Sequence, residues 1–361
     1  MSASLLKLPN VHDLVITLHK CRREKDLCSA LSLHIHIAES GLDTHRFIGN
    51  CLVSMFVDLG NAYYAQHVFE KLPIREEASY NALITGYISY GDPREALTLY
   101  QLMKKEDESF LLFISEFSFV PLLKACISTS DLHTGESIHS LLIENGLLER
   151  NVFIGSILIH MYAKCGRLPK AQEVFDQLPD RDIVSWTALI GGYAEVHELA
   201  QEALRYLESM EFEGITPDSA TLVCGLKACS NAGCCAFKVQ ELHGIIARKG
   251  LERNHVLNSA LVDSYAKYGM IIETQAVFDK LMFRDVVSWT SLLSGYAEHG
   301  RGDQALKCSK HMQDNGISPT DVTYVCTLKA CGSIGSIIKG QELHSEISKK
   351  GLLENFYVGS A

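Results

Sequence analysis

The sequence predicts an all-α fold, a right-handed α-solenoid of stacked helix-turn-helix repeats. Three observations carry that expectation: the chain repeats itself, its apolar residues fall at helical spacing, and Pro and Gly punctuate the repeats. DIVSWTALIGGYAE at Asp182–Glu195 returns as DVVSWTSLLSGYAEHG at Asp285–Gly300, and a weaker copy, EASYNALITGYISYGDPREAL, begins at Glu77. A second element recurs as FVPLLKAC (Phe119–Cys126), LVCGLKAC (Leu222–Cys229) and YVCTLKAC (Tyr324–Cys331), each leading into a segment with His and a later Asn-Gly or Lys-Gly. A third, shorter element reads IGSILIHMYAKCG then AQEVFDQLP, and LNSALVDSYAKYG then TQAVFDKLM; FIGNCLVSMFVDLG then AQHVFEKLP, from Phe47, is an earlier copy.

Each unit reads as two helices. In Ile183–Asp218, WTALIGGYAE and LAQEALRYLESME each carry an apolar stripe, and Gly-Ile-Thr-Pro-Asp closes the pair because Gly and Pro end helices. One hairpin cannot cover its own apolar faces, so stacked neighbours must do it.

Composition narrows the function classes. The 361 residues are 47% hydrophobic and 21% charged, enough to bury a core and too apolar for a disordered chain. Net charge is −10 with a pI near 5.8, which argues against a uniformly basic nucleic-acid surface and leaves room for a local basic groove. The twelve cysteines include no C-x-x-C; the closest spacings are Cys224/Cys229, Cys326/Cys331 and Cys234-Cys235, so reduced structural thiols in a reducing compartment are expected. No apolar run approaches the ~18 residues of a membrane span. The start, MSASLLKLPN, has no secretory apolar core and is not clearly a transit peptide.

Units cycling through three lengths with these motifs resemble the plant pentatricopeptide repeat family, PLS subclass. In that register 1–10 is a lead-in, 11–355 the array and 356–361 the start of an S-type repeat cut short. L-type units span Val11–His45, Glu116–Asn151, Ser219–Asn254 and Asp321–Asn355. S-type units span Arg46–Glu76, Val152–Asp182 and His255–Asp285; P-type units span Glu77–Ser115, Ile183–Asp218 and Val286–Thr320.

The resemblance implies that the fifth and last residues of a unit read one RNA base edge between sandwiching apolar side chains. Carried over, Asn81 with Ser115 implies a pyrimidine, C in first place, and Thr187 with Asp218 implies G. Ser156 with Asp182 and Ser259 with Asp285 lean to G. Thr290 with Thr320 departs from the usual final Asp, Asn or Ser and keeps a purine leaning; Asn50 with Glu76 departs too and leaves a pyrimidine. The L-type units put valine (Val15, Val120, Val223, Val325) at the reading position. From Arg46 onward the implied RNA is YCnGGnGRn. Taken singly, Asp182, Asp218 and Asp285 read better as helix N-caps than as base contacts; their recurrence at one register with Thr, Ser or Asn favours a shared function, and capping and reading can coexist. Phe153, Val184, Val256 and Val287 hold second positions, where the family wedges bases and where ordinary packing is an equal reading. Lys124, Lys164, Lys227, Lys267 and Lys329 are candidates for phosphate contact.

His139, His243 and His344 recur without partner ligands and read as packing residues. His344-Ser345-Glu346 matches half of a deaminase zinc signature whose P-C-x-x-C half is absent. No nucleotide, hydrolase or metalloprotease motif occurs. The residues therefore imply no catalysis, metal, cofactor or small-molecule substrate. The resemblance implies a mitochondrial or chloroplast specificity factor for single-stranded RNA, with C-to-U editing chemistry in a further C-terminal domain, accessory proteins or a deaminase acting in trans. A protein-binding solenoid scaffold and a truncated non-functional copy stay open.

Overall fold

The computed structural model describes residues 11–106, 116–233, 236–352 and 356–360, and all regular structure among them is helical. The chain divides into two compact units, Met1–Arg181 and Asp182–Ala361.

In the first unit, helices come in pairs: α1 (Val11–Glu24) with α2 (Leu27–Glu39), α3 (Arg46–Asp58) with α4 (Ala62–Glu70), α5 (Glu77–Ser89) with α6 (Pro93–Glu106), α7 (Glu116–Thr129) with α8 (Leu132–Glu144), then a short α9 (Leu147–Arg150) and α10 (Val152–Lys164) with α11 (Leu168–Gln177). The first helices pack in series, α1 on α3, α3 on α5, α5 on α7 and α7 on α10. This sets their composition. α10 lies against α7, α8, α9 and α11 and buries Ile154, Ile157, Leu158, Ile159, Met161 and Tyr162 around most of its circumference. α11 buries a single stripe, Leu168, Ala171, Val174 and Phe175, as a helix covered on one face requires.

The second unit repeats the scheme: α12 (Ile183–Glu195), a 3-10 turn (His197–Leu199) and α13 (Ala200–Phe212); α14 (Ser219–Ala232) and α15 (Ala236–Arg248); α16 (His255–Lys267) and α17 (Ile271–Asp279); α18 (Val286–Glu298) and α19 (Gly302–Asp314); α20 (Asp321–Ile334) and α21 (Ile337–Lys349); and a short α22 (Phe356–Ser360). Here α12, α14, α16, α18 and α20 pack in series. Buried Trp289 meets Phe278 edge-on at 4.7 Å. At the end of the unit Tyr324, Ile347 and Val358 form a small cluster with Val325, Leu328, Leu343 and Leu352.

Local chemistry sharpens the pairs. Gly166 (φ 72°) and Gly269 (φ 69°) turn the chain out of α10 and α16 in the left-handed region, which explains Gly at the end of AKCG and AKYG. The VFE, VFD and VFD segments place Phe69, Phe175 and Phe278 under the guanidinium groups of Arg75, Arg181 and Arg284, at 5.0, 4.7 and 4.9 Å from the ring centres. Of the three recurring histidines read as packing residues, His139 and His243 pack, and His344, on the exposed side of α21, does not. His139 Nδ1 meets the Tyr162 hydroxyl at 2.8 Å, and His243 Nδ1 meets that of Tyr265 at 2.9 Å. In the first copy Phe56 stands where Tyr162 and Tyr265 stand later, and His34 turns to Tyr64 of α4 at 3.0 Å. The ten cysteines among the described residues are free thiols.

Candidate nucleic-acid interface

The fifth residues of the S- and P-type units each lie one turn into a first helix. Asn50 of α3 is 7% exposed; its Nδ2 donates to Arg46 O at 2.7 Å and its Oδ1 is buried without a partner among the described residues. Asn81 of α5 is half-buried and donates to Glu77 Oε1 at 3.1 Å. Ser156 of α10 is buried and donates to Val152 O at 2.9 Å. Ser259 of α16 is buried, and its hydroxyl has no partner among the described residues. Thr187 of α12 and Thr290 of α18 are half-buried, as are Val15, Val120, Val223 and Val325 at the same register of the L-type units.

The last residues sit at helix N-caps. Asp182, Asp218 and Asp285 accept the backbone N–H of Ser185, Thr221 and Ser288 at 2.7, 2.8 and 2.8 Å, satisfying a donor that the first turn would otherwise leave orphaned. Glu76 makes no such bond; its carboxylate is taken by Arg46, the first residue of its own unit. Ser115 lies outside the described residues. Asp182 opens the second unit and Ser156 belongs to the first.

Three fifth–last pairs can be compared. Thr187 Oγ1 lies 2.7 Å from Thr221 Oγ1, which donates to Asp218 Oδ1 at 2.8 Å. Thr290 Oγ1 lies 3.0 Å from Thr323 Oγ1, which lies 3.0 Å from Thr320 Oγ1. In the P-type units Ile183–Asp218 and Val286–Thr320, then, one buried threonine of the next helix bridges the two candidate reading residues. Ser288 does not bridge Ser259 and Asp285: its hydroxyl bonds back to Asp285 O at 3.0 Å. Sequence reading did not single out Thr221 or Thr323; the available signal is Thr at the third helical position in SATLV and DVTYV.

In the first S-type unit the second, fifth and last residues meet in an open cleft of about 240 Å³. Phe47, Asn50 and Glu76 line it with His19 and Arg22 of α1 and Ala78 of α5. Phe47, Phe153, Val184, Val256, Val287 and Val322, all second residues of first helices, are exposed although apolar.

The candidate phosphate lysines are all exposed, and several already hold carboxylates. Lys227 Nζ lies 2.6 Å from Glu195 Oε2, Lys329 3.6 Å from Glu298 Oε1, and Lys267 3.1 Å from Asp263 Oδ2. Ser89 ends α5 where Glu195 and Glu298 end α12 and α18, so Lys124 has no counterpart carboxylate there. Lys164 ends α10. Among the described residues no group of three or more His, Cys, Asp or Glu side chains could share a metal ion, and no helix is long and apolar enough to cross a membrane.

Serial helix hairpins with polar residues recurring at fixed positions define a helical repeat protein. Residues 284–333 match the PPR repeat family, and residues 78–107 and 156–183 match the PPR repeat. The chain belongs to the pentatricopeptide repeat family. It is similar to two such proteins of Arabidopsis thaliana: a mitochondrial one, 32% identical over 91% of this chain and 31% of that protein, and chloroplastic CRR2, 37% identical over 90% and 49%. The chain thus spans half or less of these relatives. Among solved structures, pentatricopeptide repeat protein PPR10 in complex with an 18-nt psaJ RNA element matches with a TM-score of 0.75 and 19% identity, over 96% of this chain and 51% of that one. At that identity the likeness is one of fold, the α-solenoid.

Proposed function

We propose that this chain binds single-stranded RNA sequence-specifically, one base per S- or P-type unit, as the recognition part of an organellar RNA-processing factor. The observation that carries the reading is the cleft in which Phe47, Asn50 and Glu76 converge: an exposed aromatic beside an amide and a carboxylate suits a stacked base and its polar edge. The shared-threonine junctions of these two P-type units, Ile183–Asp218 and Val286–Thr320, support it. The pairs Asn50/Glu76, Asn81/Ser115, Ser156/Asp182, Thr187/Asp218, Ser259/Asp285 and Thr290/Thr320 support the order YCnGGnGRn for the bases facing the units from Arg46 onward. The L, S, P cycling supports the PLS subclass, and with it C-to-U editing as the process served, the chemistry residing in another domain or a partner. The mitochondrial and chloroplastic relatives support an organellar location, one of those two.

Binding of the purified chain to single-stranded RNA carrying YCnGGnGRn, against a base-shuffled control at low and near-physiological salt, tests the reading. Tighter binding to the designed RNA at both salts is expected. No binding at low salt by a folded, monomeric sample would overturn it in favour of a protein-binding scaffold, to which the net charge of −10 is the pointer.

A further inference from the structure

We infer that Thr221 sets the hydrogen-bond polarity with which Thr187 meets a base and thereby confers guanine selectivity on the unit Ile183–Asp218; the inference deepens the base-reading proposal and rests on it. Thr221 is fully buried, and its hydroxyl has three neighbours: Asp218 Oδ1 at 2.8 Å, Thr187 Oγ1 at 2.7 Å and the Asp218 backbone N–H at 3.4 Å. A hydroxyl owns one proton and two acceptor lone pairs. The exposed Asp218 carboxylate can only accept, so the proton of Thr221 goes to it. The amide can only donate, so it occupies one lone pair. Only a lone pair then remains for Thr187, which must donate. Its own proton committed inward, Thr187 Oγ1 keeps only acceptor capacity, and the unit presents two acceptors, Thr187 Oγ1 and the Asp218 carboxylate. Guanine alone carries two adjacent donors, N1–H and the N2 amino group, on its Watson–Crick edge. Adenine and cytosine offer one donor beside an acceptor, and uracil one donor between two acceptors.

The other two comparable junctions lack this device, each for a visible reason. At Val286–Thr320 the buried Thr323 hydroxyl meets Thr320 N–H at 3.1 Å and two hydroxyls, those of Thr290 and Thr320, both at 3.0 Å. With no carboxylate to fix the proton, the row of three hydroxyls runs in either direction and presents one acceptor and one donor in either order, so it discriminates weakly. At His255–Asp285 the Ser288 proton goes to a backbone carbonyl and Ser259 is not joined to the network. Thr221 is therefore a positioning residue that acts through Thr187, and its signature is selectivity at one base.

The test is titration of the full chain with YCnGGnGRn RNAs that differ only at the fifth base, facing Ile183–Asp218, or at the eighth, facing Val286–Thr320. The unaltered chain is expected to prefer G over A at the fifth base about tenfold, as two well-made base-edge hydrogen bonds provide. Thr221→Val should bring that ratio within about twofold and leave the eighth position unchanged. Should Thr221→Val perturb folding, a gain-of-function pair decides: Thr320→Asp supplies the missing carboxylate and should create a G preference of about tenfold at the eighth base, and adding Thr323→Val should abolish it. A G preference that survives either valine substitution overturns the role of the bridging threonine while leaving base reading intact. An unaltered chain with no base preference at the fifth position overturns the base-reading proposal itself, and this inference with it.

Discussion

Tyr162→Phe removes a single oxygen atom, and the structure says what that atom holds. Tyr162 is 1% exposed and His139 9%, and the 2.8 Å contact from the hydroxyl to Nδ1 is the imidazole's one hydrogen bond among the described residues, since Nε2 is buried without a partner. Losing the hydroxyl strands a polar ring between α8 and α10, a desolvation cost of about 1–3 kcal/mol. For a unit of this size that lowers the melting temperature on the order of 5 °C. His139→Phe removes the stranded group, so the double substitution should cost less than the two single ones together, with a coupling of about 1 kcal/mol. Denaturation of the four proteins, followed by helical circular dichroism at pH 7.5, completes the cycle. Acid sharpens it. Burial, with a smaller contribution from Lys170, holds the His139 pKa below its ordinary value. The unfolded chain takes up its proton near pH ~6.5 and the folded chain only lower, so this contribution is complete above that pH and is lost as pH falls through the folded value. His139→Phe should therefore flatten the loss of stability between pH 7 and 5. Additive single costs, or an unchanged pH dependence, would refute the reasoning.

Gly295→Ala is expected to destabilise the second unit by about 1–3 kcal/mol, because its new Cβ would stand 2.9 Å from Ala266 Cβ and 3.2 Å from Ala266 Cα, neither the end of a flexible side chain; chemical denaturation reads it. Thr187→Asn should move preference at the fifth base from purine toward pyrimidine with little effect at other positions; equal weakening for all four bases would make Thr187 a fold residue. Glu195→Gln should tighten binding to every RNA alike by freeing Lys227, and Lys227→Ala should flatten the salt slope by about one unit; a base-dependent change would remove this pair from the backbone track. Lys164→Ala with Lys267→Ala should flatten it by about one unit each.

The repeating architecture was legible because its signals are local. The SWT and YAKxG segments, the closing Gly-Ile-Thr-Pro-Asp and the N-cap aspartates each fix a helix or its end within a few residues. What escaped are contacts made across repeats. Thr187 and Thr221 are 34 residues apart in the chain, and nothing in either segment announces that their hydroxyls share a proton. The recurring histidines could be read as packing groups, yet that Phe56 in place of tyrosine sends His34 to Tyr64 depends on the packing of three helices. The lysines in LKAC were visible as cations; that Glu195 and Glu298 of the preceding units reach them is a matter of helix stacking.

Those glutamates give Lys227 and Lys329 counterions of their own. An RNA arriving there would have to displace tethered carboxylates, which stay close by on the protein, whereas at an unpaired lysine it would meet no such competitor. The non-specific attraction that ordinarily holds a basic protein to any polyanion is thereby weakened at its source. Under the proposed base reading, this would shift the burden of residence time onto the bases themselves: wrong sequences would be left sooner, and discrimination would come partly from how little the chain grips what it does not recognise.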